Sequence, residues 1–182
     1  TGQLPTLNTL FPAFQSYTAR DLVTLTHGVK PHWCRVASDI VTYNLHIILR
    51  YECEKDLISG ALSVQDLPRV WNQKMQDYLG IQVDSDAQGC LQDVHWSAGL
   101  FGYFPSYTLG TMIAAELFGA LQRDISDLDT CIQSGKLEPI HAWLLEHVYR
   151  HGCRLTTQEL LAQLSVEYNV DGFMDTLRQG WG

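Results

Sequence analysis

The side chains best suited to acid–base and hydrogen-bond chemistry lie close together between Gly89 and Tyr107, in the segment GCLQDVHWSAGLFGYFPSY. This segment has neither the three- to four-residue spacing of an amphipathic helix nor the alternation of a strand. One interpretation is a buried network of Gln92, Asp93 and His95 that fastens a loop. The other is a binding or catalytic surface. In both, Asp93 is expected to hold the His95 ring in one tautomer.

The segment is also rich in aromatic side chains, which are either core residues or part of the same surface. They are Trp96, Phe101, Tyr103, Phe104 and Tyr107. Glycines among them allow backbone conformations that other residues avoid.

A second candidate residue is Arg35, in the sequence WCRVASD that ends at Asp39. Arginine is suited to binding a carboxylate, because its planar donors match two oxygens at once. The structural alternative is that Asp39 caps the helix that follows and that Arg35 pairs with Asp39. The residues alone leave both interpretations open.

Two histidines four residues apart, His147 and His151, lie on one face of a predicted helix, and this spacing can ligate zinc. A peptidase motif of this kind needs Glu directly after the first His, but that position is Val148. Cys153 is near, but no third ligand is marked. We therefore predict surface or partly packed histidines, and no metal site within this chain.

Helices must position these residues, because strand patterns are nearly absent. Val41, Leu45, Ile48 and Leu49 recur at helical spacing and predict one buried face. Thr156-x-x-Glu159 is a capping box. The predicted fold class is all-α, with residues 81–103 irregular and helices near residues 12–25, 38–59, 67–79, 105–121, 126–133, 138–151, 156–165 and 170–179.

Length and composition limit the possible functions. A chain of 182 residues suits a single helical domain, residues 1–182, or one lobe of a larger protein. The net charge of −8, without a Lys/Arg cluster, argues against a nucleic-acid partner. No apolar run approaches the ~20 residues that span a membrane. Five scattered cysteines, no CxxC pair and no signal peptide predict a cytoplasmic protein with free thiols.

The sequence Gly89-x-x-Gln92-Asp93-x-His95-Trp96 resembles the signature Gly-x-x-Gln-Asp-x-His-Trp of the carboxypeptidase Taq family, which are thermostable zinc metallocarboxypeptidases. The resemblance extends from about Phe11 to Leu177. Five other stretches share it: TYNLHIILR at 42–50, DLP at 66–68, WN at 71–72, YLG at 78–80 and GYFPSY at 102–107.

A second family signature, Ile-Arg-x-x-Ala-Asp, resembles the residues around Arg35 and Asp39. Here Cys34 replaces Ile and Ser38 replaces Ala, while the Arg and Asp are kept. Ile40 stands where the family leads us to expect an acidic residue.

The family's zinc site consists of an HExxH helix and a further Glu ligand. This sequence contains no HExxH. The chain therefore resembles the C-terminal portion of such an enzyme, a helical lobe of a zinc metallopeptidase-like fold. The resemblance implies that zinc, its ligands and the general base belong to the N-terminal half of the same enzyme. This chain alone is expected to bind no metal and to be inactive.

The resemblance also implies roles for single residues. His95 and Tyr107, with Tyr103 as the next choice, are expected to donate hydrogen bonds to the oxyanion of the transition state. Arg35 is expected to bind the terminal carboxylate of a peptide substrate, and Asp93 to orient His95. The predicted substrate-binding set is Arg35, Gln92, Asp93 and Trp96.

Two classes of function stay open. In the first, the chain is part of a metallocarboxypeptidase, with a peptide substrate and the N-terminal half as partners and a homodimer allowed. In the second, it is a stand-alone helical domain that binds or assembles without catalysis. An exposed apolar surface favours the first class, because a lobe without its partner leaves part of its core uncovered. A polar surface favours the second.

Overall fold

The computed structural model describes residues 4–167 and 169–181. Within these two ranges all regular secondary structure is helical and no strand is present, so the all-α prediction is confirmed. Across the same residues, no helix combines the length and the apolar character needed to cross a membrane.

The described residues form helices α1 to α9 in chain order. They are α1 (Leu4–Leu10), α2 (Ala19–Thr26), α3 (Ile40–Ser59), α4 (Leu67–Leu79), α5 (Pro105–Asp124), α6 (Leu128–Ser134), α7 (Glu138–His147), α8 (Thr157–Gln163) and α9 (Val170–Trp181). Short 3-10 turns span Pro12–Phe14, Arg35–Ala37 and Tyr149–His151. Residues 81–103 contain no helix, as predicted.

Two predicted helices have different bounds. The helix expected at 12–25 is a 3-10 turn followed by α2. This break arises because Thr18 and Asp21 exchange hydrogen bonds, at 2.8 Å and 3.2 Å, which cap a new helix at Ala19. The helix expected at 138–151 ends at His147, because Val148 leaves the helical conformation with φ −124° and ψ −63°.

Local caps fix the bounds of α3. Asp39 Oδ1 accepts hydrogen bonds from the backbone amides of Val41, at 3.0 Å, and Thr42, at 2.9 Å. Gly60 ends the helix in the left-handed region, with φ +77°, where glycine has no Cβ to cause strain. The cap at Asp39 is one of the two interpretations that the sequence left open, and the end of the helix agrees with the predicted bound near residue 59.

The chain divides into two compact units. One comprises His27–Gly110, where α3 and α4 pack against each other around Leu49, Cys53, Leu67, Trp71, Met75, Leu79 and Cys90. The other comprises the residues up to Thr26 and Thr111–Gly180, with a core of Ala120, Leu121, Leu128, Trp143, Leu161 and Val166. All the predicted site residues belong to the His27–Gly110 unit.

The buried face of α3 differs from the predicted one. Leu49 is fully buried, but Ile48, which was predicted to be buried, is 42% exposed. Polar side chains take up much of the buried face instead, namely Thr42, Asn44, His46, Arg50 and Glu54. Apolar spacing could not reveal this face, because most of these polar groups are satisfied by segments distant in the sequence.

Candidate functional site

The centre of the site is Asp93, which lies between two arginines. Arg35 donates to Asp93 Oδ1 from Nε at 3.1 Å and from Nη2 at 2.7 Å. Arg50 donates from Nε to Asp93 Oδ2 at 2.6 Å. The alternative pairing of Arg35 with Asp39 is therefore wrong, since Asp39 acts as the cap of α3 and Arg35 binds Asp93.

Electrostatics keep this carboxylate ionised. Burial by itself raises the pKa of Asp93, but hydrogen bonds from Arg35 and the charge of Arg50 outweigh it and hold the pKa below its usual value. The three side chains together carry one net positive charge, and Arg50 is fully buried. Such a centre favours the approach of an anion.

Arg50 was not identified from the sequence. Its guanidinium carbon lies 4.7 Å from the centre of the Trp71 ring and 5.7 Å from that of Phe104. Its Nη1 donates to the backbone carbonyl of His46 at 2.9 Å, one helical turn earlier. The available signal was the family-like stretch at 42–50, which ends in this arginine.

His46 supports Arg50 as a neutral ring. Its Nε2 donates to the carbonyl of His32 at 2.9 Å, so its Nδ1 lone pair faces Arg50 Nη1 at 3.4 Å. Burial, and then the charge of Arg50, lower the pKa of His46 from 6.5 to about 4. A protonated ring would place a second cation against Arg50.

His95 and Tyr107 form the second part of the site. His95 Nε2 lies 2.9 Å from the Tyr107 hydroxyl oxygen, and His95 is 6% exposed. The ring packs at 4.4 Å, between centres, on Phe104 and at 5.8 Å on Tyr103. The structure thus brings His95, Tyr103 and Tyr107 together. Whether they face substrate stays a prediction.

The expected hydrogen bond from His95 to Asp93 is not formed. Asp93 Oδ1 and His95 Nδ1 are 3.8 Å apart, beyond hydrogen-bonding distance. Asp93 Oδ1 instead accepts both hydrogen bonds from Arg35. Within the described ranges, the buried His95 Nδ1 has no hydrogen-bond partner.

The two tyrosines join the two parts of the site. Tyr107 lies beneath Arg35, whose guanidinium carbon is 4.9 Å from the ring centre. Tyr103 packs edge-on against Tyr107 at 5.4 Å and is 45% exposed. The cluster therefore extends from buried charges to a solvent-facing phenol.

Gln92 connects the site to the segment before α3. Its side-chain oxygen accepts from the Arg35 amide at 3.0 Å. Its nitrogen donates to the carbonyls of Trp33 at 3.1 Å and Gln88 at 2.8 Å. The observed contacts of Gln92 thus hold Arg35 in place.

Trp96 contacts a second residue that sequence reasoning missed, Glu54. Trp96 Nε1 donates to Glu54 Oε2 at 2.7 Å, and the backbone amide of Gly102 donates to Glu54 Oε1. Glu54 lies four residues after Arg50 on α3 and is buried. The sequence signal was this spacing, which places Arg50 and Glu54 on the same helical face.

The described part of the chain contains no group of three or more His, Cys, Asp or Glu residues that could hold a metal ion. His147 and His151 are both half-buried, but they do not share one helix face, because α7 ends between them. Within those residues, the donor set therefore does not fit a metal site.

Comparison with known proteins gives concordant matches. A family model described as "Carboxypeptidase Taq (M32) metallopeptidase" matches residues 2–180. Carboxypeptidase 1 of Bacillus subtilis is 45% identical over 163 residues, which are 87% of this chain and 32% of the relative. Thermostable carboxypeptidase 1 of Pyrococcus furiosus is 38% identical over 157 residues, which are 86% of this chain and 32% of that relative. The chain thus spans about a third of their length.

Solved structures show the same similarity. The structure titled "BsuCP Crystal Structure" superposes with a TM-score of 0.93 at 42% identity, over 100% of this chain and 37% of that chain. Trypanosoma cruzi metallocarboxypeptidase 1 superposes with a TM-score of 0.92 at 39% identity, over 99% of this chain and 38% of that chain.

Proposed function

The chain belongs to the carboxypeptidase Taq (M32) metallopeptidase family, and on this premise we propose that it forms one portion of a longer metal-dependent carboxypeptidase that removes C-terminal amino acids from peptides. Residues 1–182 form a helical portion of that enzyme, resembling its C-terminal part. The main support is the buried centre of Arg35, Asp93 and Arg50, because its net positive charge suits recognition of a chain end.

Exposed apolar side chains favour a portion of a longer enzyme over a stand-alone binding domain. Tyr51 and Phe101 line one shallow depression of the His27–Gly110 unit, and Ile48 and Leu109 line another with Tyr51. These side chains are 42–55% exposed. Contiguous apolar surface of this kind is typical of a face that another part of a protein covers.

In this proposal Arg35 binds the C-terminal carboxylate of the substrate. A guanidinium has five N–H donors, and three of those of Arg35 bind Asp93 and Tyr43. Among the described residues no partner is seen for the other two N–H donors, one on each terminal nitrogen, and a carboxylate can accept from both. Gln92 and Asp93 serve substrate binding by holding Arg35.

His95 and Tyr107, with Tyr103 beside them, serve the transition state. Peptide hydrolysis passes through a tetrahedral intermediate whose oxygen gains negative charge. One fixed hydrogen-bond donor at that oxygen lowers the barrier by about 2.7–4 kcal/mol. Trp96 supports these residues by packing edge-on against Phe104, at 5.9 Å between ring centres.

The metal belongs to the rest of the enzyme. When bound, the metal of such a peptidase supplies an activated water and polarises the scissile carbonyl. We propose zinc, with all its ligands in the N-terminal half, because the described residues do not fit a metal site. We also propose a cytoplasmic location. A homodimer is a further possibility, and the mass of the full enzyme in solution tests it.

The test is hydrolysis by the full-length enzyme that contains this chain. With zinc present, it should release amino acids one by one from the free C-terminus of a peptide. His95→Ala should lower kcat about 100- to 1000-fold, as expected for loss of an oxyanion donor. Ser97→Ala is the matched control, because Ser97 is exposed and its hydroxyl, among the described residues, donates to the nearby Val94 carbonyl alone. Internal cleavage, or no release by the wild type, contradicts the proposal.

A further inference from the structure

Arg50 and Glu54 have opposite charges and lie four residues apart on α3, yet each binds the irregular segment after α4. Residues of opposite charge at this spacing can form an ion pair along the helix. Here Arg50 Nε binds Asp93 at 2.6 Å, and Glu54 binds Trp96 and Gly102. One face of α3 thus binds the segment at three points. Asp93 and Trp96 lie on either side of His95, and Gly102 directly precedes Tyr103.

Both oxygens of Glu54 are occupied by this segment. Oε2 accepts from the Trp96 indole at 2.7 Å, and Oε1 accepts from the Gly102 amide. A charged acceptor makes these bonds about twice as strong as neutral ones. Between the two contacts the backbone adopts left-handed conformations at Gly99, with φ +73°, and at Gly102, with φ +74°. Glu54 therefore fixes both ends of a bent, glycine-containing loop.

Ring packing transmits this restraint to the predicted catalytic residues. The Trp96 ring meets Phe104 edge-on at 5.9 Å, and Phe104 packs on the His95 ring at 4.4 Å. His95 directly precedes Trp96, and Tyr103 directly follows Gly102. The orientation of Trp96 and the position of Gly102 thus determine where His95 and Tyr103 lie.

We propose that Glu54 is a positioning residue of the carboxypeptidase, which holds residues 96–102 so that His95 and the neighbouring tyrosines face the scissile bond. This inference rests on the proposed function. Glu54 acts through the loop and does not touch substrate, because it is buried and both its oxygens are bound.

The test variant is Glu54→Gln. Glutamine keeps the size of the side chain but has one acceptor oxygen, so its amide nitrogen faces an N–H of Trp96 or Gly102 and one contact is lost. Glu52→Gln is the matched control on the same helix. Glu52 accepts from Lys74 at 2.5 Å and from Tyr78 at 2.6 Å, both on α4. Each variant removes one negative charge and one carboxylate that accepts two hydrogen bonds.

Hydrogen exchange on this chain measures the restraint directly. In the wild type, the Gly102 amide and the Trp96 indole N–H should exchange slowly. In Glu54→Gln at least one of them should exchange about ten-fold faster or more, and neither should change in Glu52→Gln. A wild-type Gly102 amide that exchanges as fast as in an unstructured peptide overturns the proposal, even if Glu54→Gln does not fold.

Kinetics of the full-length enzyme separate positioning from stability. Glu54→Gln should lower kcat about 10- to 100-fold, as loss of a supporting contact does elsewhere, with KM changed less than about three-fold. Glu52→Gln should keep kcat within about two-fold. If the wild type is active and the two variants have equal kcat, the positioning role of Glu54 is overturned, while the proposed function stands. An inactive wild type overturns the proposed function, while the exchange data still report on the loop.

Discussion

Replacement of Arg35 by methionine should remove recognition of the peptide's terminal carboxylate. Methionine keeps much of the length and apolar volume of the arginine stem but lacks its charge. Asp93 is not left unpaired, because Arg50 still donates to its other oxygen at 2.6 Å. The variant should therefore fold, and its defect should lie in substrate binding.

The expected magnitude follows from the burial of Arg35. Its side chain is 8% exposed, so a carboxylate that reaches it forms a largely desolvated ion pair. Removing one partner of such a pair costs about 3–5 kcal/mol. Since about 1.4 kcal/mol corresponds to a factor of ten, kcat/KM for free-acid peptides should fall about 100- to 4000-fold.

The assay compares one peptide with a free C-terminal acid and the same peptide with a C-terminal amide. Arg35→Met should reduce the acid rate and barely change the amide rate, because the amide has no terminal charge. Arg50→Met is the matched control. It removes the same charge from the same Asp93, but Arg50 is fully buried and cannot reach substrate.

The acid-to-amide ratio of kcat/KM decides the question. It should fall about 100-fold or more in Arg35→Met, and by about 10-fold or less in Arg50→Met, which removes the net positive charge of the centre but keeps the contact of Arg35 with the substrate. An unchanged ratio in Arg35→Met would show that Arg35 only supports the fold through Asp93. An equal fall in both variants would show that the net charge of the centre, and not a contact of Arg35, sets the preference.

Three further predictions concern the chain itself. The chain alone should bind less than one equivalent of zinc after mild chelation, as measured by metal analysis; a full equivalent lost on His147→Ala would contradict this. His46 should make unfolding pH-dependent: its folded pKa of about 4 lies below 6.5, so its contribution is complete above pH 6.5 and falls by about 3 kcal/mol as the pH drops to about 4. The variant His46→Gln keeps an amide that can donate to the His32 carbonyl but has no ring to protonate. In urea unfolding, its free energy of unfolding should therefore fall less than that of the wild type between pH 6.5 and pH 4. An equal fall in the two proteins would refute the assignment. Asp39→Ala should lower the free energy of unfolding by about 1 kcal/mol, because it removes the cap of α3. Asp66→Ala, at the start of α4 where no side-chain cap forms, should cost less than about 0.5 kcal/mol; equal losses would contradict the capping role.

The sequence by itself determined the features that depend on near neighbours along the chain. Asp39 and Gly60 delimit α3, and Thr156 with Glu159 forms the predicted capping box. Such features involve residues at most four positions apart, so the order of residues is sufficient to predict them. The signature from Gly89 to Trp96 likewise identified the family.

Two predicted helix bounds were wrong although they depend on residues close together in the sequence. Thr18 and Asp21 start a helix inside a segment predicted as one continuous helix, because a second cap competes with helix continuation. Val148 leaves the helical conformation although the apolar pattern continues through it, and so separates His147 from His151.

Only the tertiary structure decided which charges meet. Asp93 binds Arg35, 58 positions earlier, and Arg50, 43 positions earlier, instead of the nearby His95. Glu54 binds Trp96 and Gly102, 42 and 48 positions later. The spacing of apolar residues predicts which face of a helix packs on a core, but it gives no information about polar side chains that are buried. Their partners are whichever groups the packed chain brings within reach, and a buried charge must find one of them because leaving it unpaired in the interior is costly.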